Sequence, residues 1–381
     1  MTMTFEELEE FRSWIREGIS KVAPLSKTKV LVDENKRTDA SLWEGLAELG
    51  VFGFAVPEEF GGTEVGPLGV SVFLEEAGRE LVPAGYLATV TVAPLLIDSL
   101  AGDAKGELLS AIAEGAKRYA FADNETGSVR QPANPVTASG SGDSWTLSGT
   151  KHVVIDADVA DTLLVTVTSA SGESVFLVDA GATGLSIERG KNLDETRPVS
   201  LVTFDSTPAV LLGSEGEADA ALQAARILLT LAIAAEAAGA SERCLEVAVD
   251  YAKVREQFGR PIGQFQAIKH QAADMFVAVQ ASNSIVYSAF ENLEKTGVVT
   301  EVEALVTSIT ALENLVKVAG IDTQIHGGMG ITWEAEVHFY LKRGKASQLM
   351  VGRTDAQLEK LAAGLLDSGT DFLSIFDGVR A

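Results

Sequence analysis

The residues of this chain that could do chemistry gather in its C-terminal half. The string VREQFGRPIGQFQAIKHQAADM (254–275) carries Arg255, and a guanidinium fork matches two phosphate oxygens better than an ammonium does. In a solvated stretch the same arginine could be an ordinary surface charge. The string QIHGGMGITWE (324–334) clusters Gly327, Gly328 and Gly330 after a long helical run. Without a Cβ the backbone can approach a ligand closely, though such a cluster can also simply stop a helix. Glu236, Asp355, His326 and His338 could move protons. For the two acids a capping or ion-pairing role is the plainer expectation, and a lone histidine with no orienting acid in view is more often structural. No residue is assigned as catalytic, and no metal-ligand set is read.

The elements that must position these residues fall into three zones by hydrophobic period. Residues 1–117 read as an N-terminal α-helical domain: Phe5, Leu8, Phe11, Ile15, Ile19 and Val22 recur at helical spacing, and Thr4 with Glu7 fits a capping box. A second helix carries Leu42, Leu46 and Leu49 and stops at Gly50. Residues 118–214 change to short β-type runs, RYAFADN, SWTLSG, DTLLVTVT, ESVFLVDA and SLVTFD, separated by turn-forming clusters, and read as a small middle β domain. From 215 to 381 helical periodicity returns, with Ala- and Leu-rich segments at 217–253, 263–294 and 300–325 that suit a four-helix bundle. Ile268, Met275 and Phe276 continue an apolar face and read as core. The fold class expected is therefore α+β and multidomain.

Bulk properties narrow the function. A chain of 381 residues with 46% hydrophobic content can bury a large core and divide into two or three domains. Its formal charge of −24 argues against nucleic acid, which is bound mainly through Lys and Arg. Cys244 is alone, so no intrachain disulfide can form, and nothing in cysteine usage calls for an oxidising compartment. The acidic, amphipathic start is unlike a signal peptide, and no uncharged apolar stretch reaches a spanning length. No membrane span and a cytoplasmic location are the expectations.

Together AVPEEFGG (55–62), VREQFGRPIGQFQAIKHQAADM and QIHGGMGITWE, in that order and spacing, resemble the acyl-CoA dehydrogenase family across nearly the whole chain. The family fold is the same three-part arrangement. Its members remove two hydrogens from the α and β carbons of an acyl-CoA thioester: a carboxylate takes the α proton and FAD accepts the β hydride. The usual assembly is a dimer of dimers with each flavin shared across a subunit pair. The resemblance assigns Arg255, Gln257, Phe258, Ile262, Gln266, Gln324, Gly327 and Gly328 to FAD, with Arg255 on the diphosphate of the neighbouring subunit's cofactor. It also implies an electron-transfer flavoprotein as acceptor.

Other positions depart from the pattern. Where the family has a threonine that hydrogen-bonds the flavin ring, YAFADNETGS has Ala122, followed by Asp123; after GTK, Val153 stands at a tryptophan position and Ile155 at a threonine position. Each lost hydroxyl removes a contact worth roughly 1 kcal/mol, unless backbone amides take over. Ile227 and Thr230 hold places where the family often carries Asp and Arg. Leu229 holds one location of the family's glutamate. The other falls at Val351, or at Met350 or Gly352 with a slip of one residue. Neither location has an acid.

These departures resemble the base-lacking chain of actinobacterial α2β2 acyl-CoA dehydrogenases that act on steroid side-chain CoA esters. The partner expected is a homologous subunit that carries the catalytic Glu, the flavin-ring contacts and the acyl-CoA. Two rivals stand beside this expectation: a self-sufficient flavoenzyme homotetramer, as a dehydrogenase with another base or a flavin monooxygenase, and a structural subunit without flavin.

Overall fold

A computed structural model of the chain describes residues 3–36, 38–63, 65–126, 133–142 and 144–367; residues 368–381 of the third zone lie outside the described residues. The first region is helical: α1 (Phe5–Val22), α2 (Leu25–Asp33), α3 (Ala40–Glu48), α4 (Gly66–Arg79), α5 (Leu87–Val90), α6 (Val92–Leu100) and α7 (Lys105–Ala113). The expected capping box is present, with the Thr4 side chain accepting from the Glu7 N–H and Glu7 accepting the Thr4 N–H at 2.8 Å. The α3 helix ends where Gly50 takes φ 70°, a left-handed conformation that glycine adopts without steric cost.

The middle region holds β1 (Tyr119–Ala122), β2 (Thr137–Ser141), β3 (Ser144–Ile155), β4 (Thr162–Ser169), β5 (Gly172–Asp179), β6 (Leu185–Arg189) and β7 (Val199–Leu212). The strand order is β1-β4-β5-β7-β3-β2, with β6 also on β7. Only β1 and β4 run parallel among these pairs. The β3–β7 ladder slips between Lys151 and Val154, which leaves Val153 between them at φ 55° and 44% exposed. A β-branched residue in that conformation is strained by roughly 1–3 kcal/mol.

The third region contains α8 (Asp219–Val254), a short hairpin of β8 (Glu256–Gln257) and β9 (Arg260–Pro261), then α9 (Gln266–Thr296), α10 (Glu301–His326), α11 (Val337–Met350) and α12 (Thr354–Ala362). The α8, α9, α10 and α11 helices pack together as a bundle. Residues 231–241 of α8 are buried on every side, because α8 also takes α4 of the first region against it. The α8 and α10 helices are each long and apolar enough to cross a membrane, and half of each apolar stretch is buried within the chain. Met275 is fully buried as expected, but Phe276 is 54% exposed. It lies with Val277 on the side of α9 turned away from the face that buries Met275, Ala278 and Val279.

The α4–α8 crossing is close. A Cβ on Gly78 would lie 2.1 Å from the Glu236 carbonyl oxygen, and one on Gly239 would lie 1.9 Å from the Glu75 carbonyl oxygen. At this crossing the Glu236 carboxylate accepts from both ends of the Arg197 guanidinium, at 2.7 Å for Nη1, and from the Tyr86 hydroxyl. Tyr86 comes from the first region, Arg197 from the middle and Glu236 from the third, all three buried. Burial, with the Glu236 charge beside it, pushes the Tyr86 hydroxyl well above its ordinary pKa, so it stays a donor.

Removing one partner of such a node leaves a charge buried without compensation, which typically costs about 3–5 kcal/mol. Glu236→Ala should lower unfolding stability in urea by that amount. A loss below about 1 kcal/mol, the range of an exposed pair, would show that the node does not hold the regions together.

Candidate active site and cofactor edge

Two sites lie at opposite ends of α8. The first is a cavity of about 530 Å³ between the middle region and the third, lined by Phe121 of β1 and Asp123 just after it, from β3 by Val153 and Ile155, and from α8 by Ile227, Leu229 and Thr230. Met350, Val351 and Gly352 close it from the other side. Positions far apart in the sequence thus meet around one cavity: Val153 and Ile155, Ile227 and Thr230, and both expected locations of the base. Ala122 is fully buried and alternates with Phe121, which turns to the cavity. An apolar hollow of about 500 Å³ adjoins it, sharing Gln223, Ile227 and Glu301.

Proton-accepting groups at the cavity are already engaged. Asp123 receives Nε and Nη2 of Arg226 at 2.9 and 2.7 Å and the Thr166 hydroxyl at 2.9 Å. Arg226 also donates to both oxygens of Glu173, at 2.9 and 2.7 Å. Burial alone would raise the Asp123 pKa, but the Arg226 bonds and charge outweigh it and hold the carboxyl below its ordinary range. Glu301 pairs with Lys360. The Thr230 hydroxyl donates to the Arg226 carbonyl at 2.9 Å. The acids nearest in sequence to the expected base locations are elsewhere: Glu236 is in the buried node, and Asp355 is a surface acid accepting from Arg353 at 2.6 Å.

The second site is an exposed edge. Arg255 caps α8 in an extended conformation, its N–H donating to the Tyr251 carbonyl at 2.8 Å. The β8–β9 hairpin turns on Phe258 and Gly259, both at positive φ (53° and 76°), the signature of a tight primed turn. This geometry holds Phe258 92% exposed. Gln257, Gln266 and Gln324 are exposed as well, while Ile262 is buried in the helical core beneath the hairpin. Gly327 has φ 62°, and at both Gly327 and Gly328 nothing lies within 4 Å of where a Cβ would stand. The edge therefore offers an arginine, amides, an exposed aromatic and open backbone, a donor set that fits a diphosphate-bearing cofactor with a planar end. From Leu229 to the end of α8 at Val254 the helix climbs roughly 40 Å at 1.5 Å per residue.

Two features escaped the sequence reading. Arg226 is the lone charge between Asp219 and Glu236, a signal of an internal partner that sequence spacing could not identify. His326 does have an acid beside it: Nδ1 lies 2.9 Å from Oδ1 of Asp322, one turn earlier. His338 is buried, its ring stacked with Trp333 at 5.3 Å between centres.

Models of the acyl-CoA dehydrogenase N-terminal, middle and C-terminal domains match residues 5–116, 119–205 and 218–366. The chain is 32% identical over 359 residues to acyl-CoA dehydrogenase IpdE2 of Mycolicibacterium smegmatis, covering 94% of this chain and 98% of that one. Among solved structures it resembles the Tcur3481-Tcur3483 steroid ACAD G363A variant (33% identity, TM-score 0.86, covering 96% of this chain and 99% of the other). It also resembles the ChsE4-ChsE5 complex of Mycobacterium tuberculosis (26% identity, TM-score 0.86, covering 97% and 99%).

The Arg226 bridge makes an acid-sensitive joint between α8 and the β region. An acid whose folded pKa lies below its unfolded value, roughly 3.9 for Asp, stabilises the fold above that pH and loses the contribution as pH falls through the folded pKa. Arg226→Met should cost roughly 1–2 kcal/mol near neutral pH, allowing for solvent access to the guanidinium. It should also reduce the fall in stability between about pH 6 and pH 3, measured by urea unfolding. Equal pH slopes for both proteins would contradict the bridge.

Proposed function

The chain belongs to the acyl-CoA dehydrogenase family, whose cofactor is FAD, and from that premise we propose that it is a base-lacking subunit of a heterotetramer. Arg255, Gln257, Phe258, Gln266, Gln324, Gly327 and Gly328 lend an edge to FAD held mainly by a homologous partner. Ile262 supports the hairpin from below. The partner carries the catalytic Glu and the acyl-CoA. A steroid side-chain thioester is the proposed substrate class, with an electron-transfer flavoprotein as electron acceptor.

One observation carries this reading. Leu229 and Val351 stand at the cavity in both expected locations of the base, and the cavity-lining acids Asp123 and Glu301 are each paired with a cation. Abstraction of an α proton beside a thioester gains roughly 100- to 10,000-fold from a general base in hydrogen-bond reach. A carboxylate tied to Arg226 by two bonds is a poor acceptor, because protonation removes its charge beside the guanidinium and displaces one of those bonds. The length of α8 supports the reading too, since the exposed edge lies a long way from the chain's own cavity. The strained Phe258 turn and a 92% exposed aromatic ring are features that contact with a second subunit would account for. The likeness to the Tcur3481-Tcur3483 and ChsE4-ChsE5 proteins, each a named pair, supports the heteromer.

When bound, FAD would supply the hydride acceptor. This chain's residues bind and orient: Arg255 with two phosphate oxygens, the open backbone at Gly327–Gly328 with the diphosphate, and Phe258 against a planar surface while excluding water.

Co-expression with a homologue that has the glutamate should give a yellow complex, and this chain alone should purify colourless. A yellow, active homotetramer would overturn the proposal. In the complex, Asp123→Asn with Glu301→Gln should leave kcat within about twofold, whereas replacing the partner's carboxylate should cost about 100-fold or more. Arg255→Ala should weaken FAD retention while leaving the chain folded; unchanged flavin content would count against the edge.

A further inference from the structure

The end of α10 holds a buried acid that the cofactor edge does not explain. Asp322 is 0% exposed, and neither of its carboxylate oxygens has an aligned hydrogen-bond donor. His326 Nδ1 lies 2.9 Å from Oδ1 and 3.0 Å from the Asp322 carbonyl oxygen. The carbonyl takes the hydrogen-bond geometry, so the carboxylate is matched to the ring by charge. The imidazole lies flat on Tyr251, with ring centres 4.1 Å apart and planes 25° apart.

This places His326 between the two strings that form the edge. Tyr251 is one turn before Arg255 and accepts its N–H. Gly327 follows His326 directly, and a Cβ on Gly330 would lie 3.1 Å from the His326 Cβ. The ring therefore touches the last turn of α8, while the Cβ that carries it borders the glycine turn.

We propose that protonated His326, matched by Asp322 and stacked on Tyr251, is a positioning residue that sets the Arg255 turn against Gly327–Gly328 and so sets how tightly the edge holds the flavin's diphosphate. This rests on the reading that the edge serves a flavin. Three physical terms favour the proton. The ring sits in the last turn of α10, where a cation meets the negative end of the helix. An imidazolium gains from an aromatic face. A buried carboxylate without a donor favours a cation beside it. Burial alone would lower the His326 pKa, but Asp322 outweighs it and holds the ring above its ordinary value. The contribution is therefore present at lower pH and lost as pH rises through the folded pKa.

The other ionisable groups facing this pair come from α8: Tyr251 on the ring, and Arg243 and Cys244 on Asp322. The glycine turn has no ionisable side chain. The charged side chains of α11 turn elsewhere, Arg343 to Asp194 and Lys342 to Glu195.

Two measurements test this. NMR titration of the full chain resolves its four histidines. His326 should titrate above the ordinary value of about 6.5, and Asp322→Asn should bring it back down. A His326 pKa at or below the ordinary value overturns the proposal without any variant. The second measurement is equilibrium dialysis of FAD from the complex between about pH 6 and pH 9. Wild type should lose about tenfold in affinity as His326 deprotonates, Asp322→Asn should move that loss to lower pH, and His326→Gln should remove the pH dependence. If Arg255→Ala weakens retention while wild type and His326→Gln follow one pH curve, the positioning role is overturned and the flavin reading stands. If Arg255→Ala changes nothing, the flavin reading fails and this proposal falls with it.

Discussion

The architecture depends on α8 passing through the protein with its middle buried on every side. Two glycines allow α4 to approach it at backbone distance, and the same crossing puts a carboxylate where Arg197 and Tyr86 arrive from the other two regions. A buried acid with a bidentate cation and a hydroxyl is costly to break and leaves little freedom in how the regions meet. Once α8 is pinned at Glu236, its N-terminal half must face the cavity and its C-terminal end must emerge at the Arg255 hairpin. The geometry of both sites follows from that constraint.

The two ends differ in chemistry. At the N-terminal half the cavity is walled by aliphatic side chains, and its acids are tied up by Arg226 and Lys360. Arg226 spends four donor bonds joining α8 to β5 and to Asp123 at the end of β1, so it acts chiefly as a structural cation. At the C-terminal end the arginine, amides and open glycines stand at the surface, where polar donors meet a partner or ligand. A chain with an acid-neutralised cavity and an open, donor-rich edge is suited to completing a site that another chain begins.

Much of this was legible in the sequence, for a physical reason. The long helices show because Ala and Leu repeat with the helical period for many turns, and counting from Arg255 and Gln324 brings Leu229 and Val351 to one cavity. The strands β2 and β6 were not legible. The TASGS run of β2 is almost wholly exposed and carries no alternation, and the LSIER run of β6, with Leu185 and Ile187 on the core side, alternates over too few residues to stand out. Pairings across long separations were hidden too: Arg226 finds Asp123 and Glu173 103 and 53 residues away. The His326 acid lay within one turn but escaped notice, because its role depends on Asp322 facing inward. Phe276 reads as core in the sequence because an apolar residue on a bundle helix carries no mark of which face it occupies, and the structure exposes it.

The central claim is that this chain brings no proton acceptor to the thioester, and proton exchange tests it without requiring net oxidation. In heavy water, the complex whose partner subunit has its catalytic Glu replaced by Gln is incubated with a saturated acyl-CoA, and deuterium at the α carbon is followed by mass spectrometry. Exchange no faster than in buffer is the result the account predicts. Exchange near the rate of the intact complex would place a working base on this chain and contradict it.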